Sequence, residues 1–304
     1  MSFKMKNKYP RNMLGYGSNP PKVIWPNNSK IAVQFVLNYE EGGENSILHG
    51  DKSSEIFLSE IIGAKAIKGR HINMESLYEY GSRVGFWRIH RLFKEYNLPL
   101  TIFGVGMALE RNLEICKEIK NSNYEIASHG WRWIDYQNVS KSVEKKHMQK
   151  AIGSIKKIFG NRPVGWYTGR CSPNTLDLVI DDGGFLYCSD TYSDDLPYWE
   201  IKRGKKQLMI PYTLDNNDMK FLTNQGFNSG EQFFNYLKDS FDTLYEEGND
   251  NPKMMSIGLH CRIIGKPGRI QSLKRFLDYI TSLDKVWICK REEIANHWIR
   301  NHNI

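Results

Sequence analysis

The sequence predicts an α/β protein whose parallel strands form a closed or nearly closed (β/α) barrel. Strand-like apolar runs alternate along the chain with segments of helical periodicity, the pattern of a mainly parallel sheet. Three of these runs stop abruptly at acid/base residues: Glu40-Glu41, His129 and His260. The C-terminal ends of parallel strands are where a barrel assembles its chemistry. The 304 residues suit one large α/β domain, and no linker, internal repeat or low-complexity segment divides them.

Residues 1–28 carry Pro10, Pro20, Pro21 and Pro26 and read as an irregular arm, of the kind that drapes over the body or a neighbouring subunit. The remainder, 29–304, reads as a single barrel domain. Strands are expected at 31–38, 100–106, 124–129, 164–169, 185–190, 208–213, 255–260 and 285–290. Helical spacing of apolar residues predicts helices over 77–96, 107–120, 141–159, 229–247 and 268–283. Arg162-Pro163 and Asn251-Pro252 mark turns just before strands. The stretch 39–76 is weakly helical and holds Glu40, Glu41, Glu44, His49, Asp51 and His71. An insertion of that length after the first strand is expected to lie over the barrel mouth and help build a site.

Composition narrows the partners. With 40% hydrophobic and 25% charged residues, the chain is expected to pack a core. The formal charge of 42 − 34 = +8 comes from scattered residues without a long basic run, so a solvated basic surface is expected and nucleic acid is not. The 5 cysteines, without paired spacing, argue against a disulfide framework and a structural zinc site, and point to a reducing cytoplasm. Cys171, Cys188 and Cys261 read as inert packing. Met1 to Lys8 has charge but no apolar segment, so no secretory signal is expected. No apolar run approaches the roughly 20 residues that span a bilayer.

Chemistry is expected at a few positions. Glu40 and Glu41 follow a buried strand and precede Gly42-Gly43, where two carboxylates are better placed for proton transfer than for solvation. His129 and His260 each follow an apolar run at a strand end, a position suited to acid/base work. Arg170 at another strand end suits a substrate or carboxylate partner. Trp131, Trp133, Trp166 and Tyr167 divide between core packing and pocket lining. His49, His71 and His90 stay open as distant metal ligands.

The motifs resemble a known family. Asn38-Tyr39-Glu40-Glu41-Gly42 is similar to the Thr-Phe-Asp-Asp-Gly of polysaccharide deacetylases of the NodB-homology type. His129-Gly130-Trp131-Arg132-Trp133 is similar to their His-Ser/Thr-x-x-His, and Leu259-His260 to their late Leu-His. The resemblance implies a deformed (β/α) barrel. By position, Glu40 matches the catalytic base, Glu41 and His129 match two metal ligands, and Trp133 replaces the third. Tryptophan offers only an N–H donor, and catalytic zinc usually takes three protein ligands.

The allantoinase branch of that superfamily resembles the chain more closely still. The stretches that carry this are 38–45, Glu79-Tyr80-Gly81-Ser82-Arg83-Val84-Gly85, 128–136, Gly165-Trp166-Tyr167-Thr168-Gly169-Arg170, Asp194-Asp195-Leu196-Pro197-Tyr198-Trp199 and 256–262. The branch implies hydrolysis of the hydantoin ring of allantoin to allantoate in purine breakdown, without metal or other cofactor, by a homo-oligomer, with a tetramer suggested. Glu40 is expected as general base, His260 as general acid, His129 and Arg170 as oxyanion or substrate donors, and Glu41 as their orienting group. Asn38, Trp131, Trp133 and Tyr167 complete the expected substrate contacts, in a small pocket closed by the 39–76 insertion with Trp131 and Trp133. The alternatives are a metal-dependent polysaccharide or peptidoglycan deacetylase, a divalent ion held weakly by Glu41 and His129, and a catalytically degenerate carbohydrate-binding homologue.

Overall fold

In the computed structural model, residues 9–303 are described. The sheet comprises β1 (Ile31–Tyr39), β2 (Thr101–Gly104), β3 (Glu125–Ser128), β4 (Gly165–Trp166), β5 (Tyr187–Cys188), β6 (Tyr198–Lys202), β7 (Lys205–Met209), β8 (Lys253–His260) and β9 (Val286–Ile288). Its order is β6-β7-β5-β4-β3-β2-β1-β8, with β9 beside the start of β1. Every pairing is parallel except the β6–β7 hairpin. Around it lie α1 (Ile72–Tyr80), α2 (Phe86–Glu95), α3 (Gly106–Arg111), α4 (Leu113–Asn121), α5 (Lys141–Phe159), α6 (Thr175–Asp182), α7 (Gly230–Glu247), α8 (Pro267–Thr281) and α9 (Arg291–Asn301).

β1 pairs with three strands, β2, β8 and β9. All of its residues are buried, which explains its nearly unbroken apolar run, since a parallel strand is covered on both faces. Register then sets the site. Asn38 lies level with His260 on β8, Tyr39 with Gly104 on β2, and Gly104 with Ser128 on β3. The next residues after β1 and β3 are Glu40 and His129, so three chemically active side chains emerge at one level.

The barrel is deformed because its closure is irregular. β8 does not pair with β6. The chain after β7 closes the gap through one parallel bridge, Asn217 to Gly258, and a hydrogen bond from the Gly258 N–H to the Asn216 carbonyl (2.9 Å). A Cβ on Gly258 would lie 2.2 Å from Asn217 Nδ2, so the approach requires glycine there. At the other end Arg291 plugs the interior, donating to Gln34, Ser189, Ser256 and the carbonyls of Ile210 and Pro211.

Several elements differ from the sequence expectation for local reasons. The 77–96 segment is interrupted by a π-helical turn, Gly81–Gly85, between α1 and α2. The 107–120 segment breaks at Asn112, whose side chain accepts from the Ile115 N–H and caps α4. β6 was not expected because a half-exposed hairpin strand has no continuous apolar run. α6 is a short helix between a loop and the left-handed Gly183, and α9 is largely polar, so periodicity revealed neither.

The arm from residue 9 lies on the body: the Tyr16 hydroxyl donates to the Pro197 carbonyl, and buried Trp25 donates from Nε1 to the Lys253 carbonyl. The absence of a leader expected from Met1 to Lys8 concerns residues outside those described. No described helix is long and apolar enough to cross a membrane. All cysteines are free; Cys188 and Cys261 are buried, whereas Cys171 is exposed at the rim of the main cavity, so packing does not describe it.

The π-helical turn matters for the site because its glycines admit close neighbours. A Cβ on Gly85 would lie 1.9 Å from the Cys261 carbonyl oxygen, which is backbone and cannot swing away. Gly85→Ala should therefore destabilise the protein by about 1–3 kcal/mol, as overpacking does, seen as a lower denaturant midpoint at unchanged slope. An unchanged midpoint would contradict this packing.

Candidate active site

Glu40 is the focus. Its carboxylate is essentially fully buried after β1. The His129 Nε2 is 3.2 Å from its Oε1, and the His260 Nε2 is 3.5 Å from the same oxygen. Arg262 Nη1 donates to its Oε2 at 2.7 Å and reaches Glu41 Oε1 at 3.4 Å. Because a carboxylate only accepts, the shared hydrogens sit on the two imidazoles and the guanidinium.

Burial acts to raise the Glu40 carboxyl, but Arg262, His260 and the hydrogen bond from His129 outweigh it and hold the group well below the usual carboxylate range. Glu41 is displaced the other way, chiefly by burial, opposed by Arg262 and reinforced by the neighbouring Glu40 charge. Glu44, also buried, is pushed up to about 7. Two adjacent carboxylates are thus driven apart in acidity, the arrangement that separates roles in acid/base sites.

His260 is oriented from behind. Its Nδ1 is 2.6 Å from Asp218 Oδ1, while Asp218 Oδ2 accepts from the backbone N–H groups of His260 (2.7 Å) and Ile264 (3.0 Å). Burial would favour neutral imidazole, but Glu40 and Asp218 outweigh it and raise His260 to about 9. The imidazolium is therefore the neutral-pH form, with Nε2–H facing Glu40 and the cavity.

These groups open onto a cavity of about 720 Å³. Of the residues expected at the site, Asn38, Glu40, His129, Trp133, Tyr167, Arg170 and His260 line it. Asn38 uses both amide hydrogens on the Tyr212 hydroxyl and the Leu259 carbonyl, leaving its oxygen as acceptor. Tyr167 stacks on Phe103 and bonds the Tyr192 hydroxyl. The 39–76 insertion supplies Asn45, Glu55, Ile56, Phe57 and Leu58 to the wall, as its length suggested. Arg170 lies 4.2 Å over the Trp133 ring and 4.7 Å over Phe57, with Glu55 3.7 Å away.

Two expected site residues lie elsewhere. Trp131 packs away from the cavity, under the Lys150 ammonium and against Gly106, so it is core and does not close the pocket. Glu41 is beside Glu40 but does not line the cavity. It borders a separate space of about 290 Å³ with Glu44, Ser82 and Arg111. The cavity is accordingly larger and more open than the small closed pocket expected. Trp166 is also core, against Phe185. His49, His71 and His90 are engaged with Arg111, the N-terminus of α1 and Glu118, respectively.

Asp218 and Arg262 were not anticipated. Asp218 opens a short 3₁₀ helix, Asp218–Leu222, with no strand or repeat to flag it. Arg262 was visible two residues after His260, but an arginine after a strand gives no sign that it will turn back onto two carboxylates.

A parallel half-barrel with a buried carboxylate, two imidazoles and an Asp–His pair at its strand ends defines a hydrolase of the deacetylase type. The polysaccharide deacetylase family model matches residues 73–179. A protein of Schizosaccharomyces pombe assigned to the polysaccharide deacetylases is 44% identical over 313 residues, 96% of this chain and 98% of its own. The chain belongs to the polysaccharide deacetylase family. A crystal structure of a Pseudomonas aeruginosa PAO1 protein assigned to the same family is 58% identical, with a TM-score of 0.96 and coverage of 97% of this chain and 100% of that one. The crystal structure of PuuE allantoinase is 56% identical, with a TM-score of 0.96 and coverage of 97% and 99%.

The divalent metal implied by the family does not fit the residues present. Of the matching ligand positions, Trp133 cannot coordinate, Glu41 is turned out of the cavity, and His129 Nε2 is engaged by Glu40. Among the described residues, no group of three or more His, Cys, Asp or Glu is arranged to hold a metal ion.

The Asp218–His260 pair makes a direct prediction. Asp218→Asn removes a carboxylate that favours the imidazolium, so the His260 pKa should fall from about 9 in an NMR titration. Since the folded value exceeds the ordinary 6.5, the stabilisation from this proton is fully present below pH 6.5 and lost as pH rises through about 9. An unchanged His260 titration in Asp218→Asn would contradict the assigned pairing.

Proposed function

We propose that this protein is an allantoinase that opens the hydantoin ring of allantoin to allantoate, in purine breakdown, without a metal ion. The observation that carries the reading is the 56% identity with PuuE allantoinase across nearly the whole of both chains. The geometry supports the chemistry. Hydrolysis of a cyclic amide needs water activated as a nucleophile, charge stabilisation on the carbonyl oxygen, and a proton for the leaving nitrogen.

Glu40 is the general base, its carboxylate ionised and facing the cavity. Water loses its proton to Glu40 as its oxygen bonds to the ring carbonyl carbon. The His129 Nε2–H, which donates to Glu40 Oε1 at 3.2 Å before reaction, is released toward the developing oxyanion as Glu40 takes up the water proton. The His260 imidazolium, set by Asp218, gives its proton to the ring nitrogen as the C–N bond breaks. Glu40 is then protonated and His260 neutral, and the 3.5 Å between Glu40 Oε1 and His260 Nε2 lets one proton transfer restore both. The new carboxylic acid ionises on release. Glu41 acts through Arg262 and the Glu40 backbone, whose N–H donates to Glu41 Oε2 at 3.1 Å. Arg170, with Trp133 and Glu55, lies on the cavity wall to meet the polar ureide.

A deacetylase acting through a metal is the reading that other family names favour. Trp133 in place of a third ligand counts against it. Incubation of the purified protein with allantoin and, separately, with acetylated chitooligosaccharide distinguishes the two: allantoate should form and no acetate be released. Release of acetate with allantoin untouched would overturn the proposal. Glu40→Gln should lower kcat by about 10²–10⁴-fold with little change in KM, since shape is kept and proton acceptance lost. Activity within about threefold of the parent protein would remove Glu40 from the role of base.

A further inference from the structure

We propose that Arg262 is an internal cation at the catalytic carboxylates: its guanidinium holds Glu40 and Glu41 as a pair, at a place where the residues present do not fit a bound metal. The reading of its effect on turnover rests on the proposed function; the reading of the cation site does not.

The case begins with placement. β8 ends at His260, and the following chain turns tightly, with the N–H groups of Ile263 and Ile264 both donating to the His260 carbonyl. That turn is pressed against the π-helical turn: a Cβ on Gly265 would lie 2.5 Å from the Gly85 Cα. Arg262 is thereby directed inward, and its side chain is only 2% exposed.

The guanidinium is held at Nη1, at Nε and across its plane. Nη1 takes Glu40 Oε2 at 2.7 Å and Glu41 Oε1 at 3.4 Å. Nε donates to the Leu58 carbonyl at 3.1 Å. The plane lies 4.2 Å over Tyr78 and 5.0 Å over Trp133. Nη2 is buried without a protein partner. Two adjacent buried carboxylates repel and are poorly solvated, so they require a cation at close range. An arginine suits this position because it stays charged when buried and its planar group stacks on aromatic rings.

A merely structural arginine would serve by filling space. An internal cation must supply charge and donors at one place, and a guanidinium ion admitted from solution would restore that function. In Arg262→Ala, turnover of allantoin should fall by at least about 100-fold, as for loss of one buried charge-stabilising donor. Millimolar guanidinium chloride, well below denaturing concentrations, should restore it saturably. Without substrate, the same salt should bind saturably to the variant, followed by calorimetry, and not to the parent protein. Zinc titrated into the parent protein by calorimetry should show no stoichiometric binding.

Arg262→Met, which keeps the aliphatic stem, tests the same point should the alanine variant not fold. It should be inactive while Arg262→Lys retains partial turnover. A folded alanine variant that takes up no guanidinium, a methionine variant as active as the lysine one, or one equivalent of zinc bound by the parent protein would each overturn the proposal. If the parent protein leaves allantoin intact but Arg262→Ala binds guanidinium, the substrate assignment fails and the cation site stands.

Discussion

The burial of one ionised carboxylate constrains the rest of the molecule. Glu40 is removed from water, a costly state for a charge unless donors and cations surround it. His129, His260 and Arg262 do so, and each is itself supported from another part of the chain. Asp218 fixes His260 from the irregular segment that closes the barrel. Tyr78 on α1, Leu58 in the insertion and Trp133 after β3 fix Arg262. Removing one supporting group would leave a buried charge short of partners, so the site is a single electrostatic unit.

The fold brings this unit together by register rather than by sequence proximity. Parallel strands place their C-terminal ends on one rim, and β1, β3 and β8 deliver Glu40, His129 and His260 there. The glycines at 81, 85 and 265 add the close approach: Gly81 faces the Glu41 carboxylate, and Gly85 and Gly265 let the turn carrying Arg262 dock. The π-helical turn is thus linked to chemistry it does not itself perform, in keeping with the tendency of such bulges to lie near functional sites.

Much of this was legible in the sequence because parallel strands buried on both faces read as apolar runs, and their abrupt ends on charged residues are conspicuous. β1, β3 and β8 follow that rule, and so do Glu40, His129 and His260; α5 was legible from its helical spacing. Trp131 misled because an aromatic residue near a catalytic histidine looks the same whether it faces a cavity or Lys150. β6 and α9 were hidden by polar composition. Asp218 and Arg262 act through tertiary contacts with residues far away in sequence, and such contacts leave no periodicity. The interruption at Gly81–Gly85 was masked because a π-helical turn preserves most of the apolar spacing of a continuous helix.

The central claim is that fixed protein cations, and not a metal ion, support the catalytic carboxylate. It is tested most directly by measuring allantoin hydrolysis and metal content on the same sample after exhaustive chelation. The account predicts undiminished turnover with far less than one equivalent of any divalent metal. Activity that is lost with the metal and returns on addition of one equivalent of zinc would contradict it.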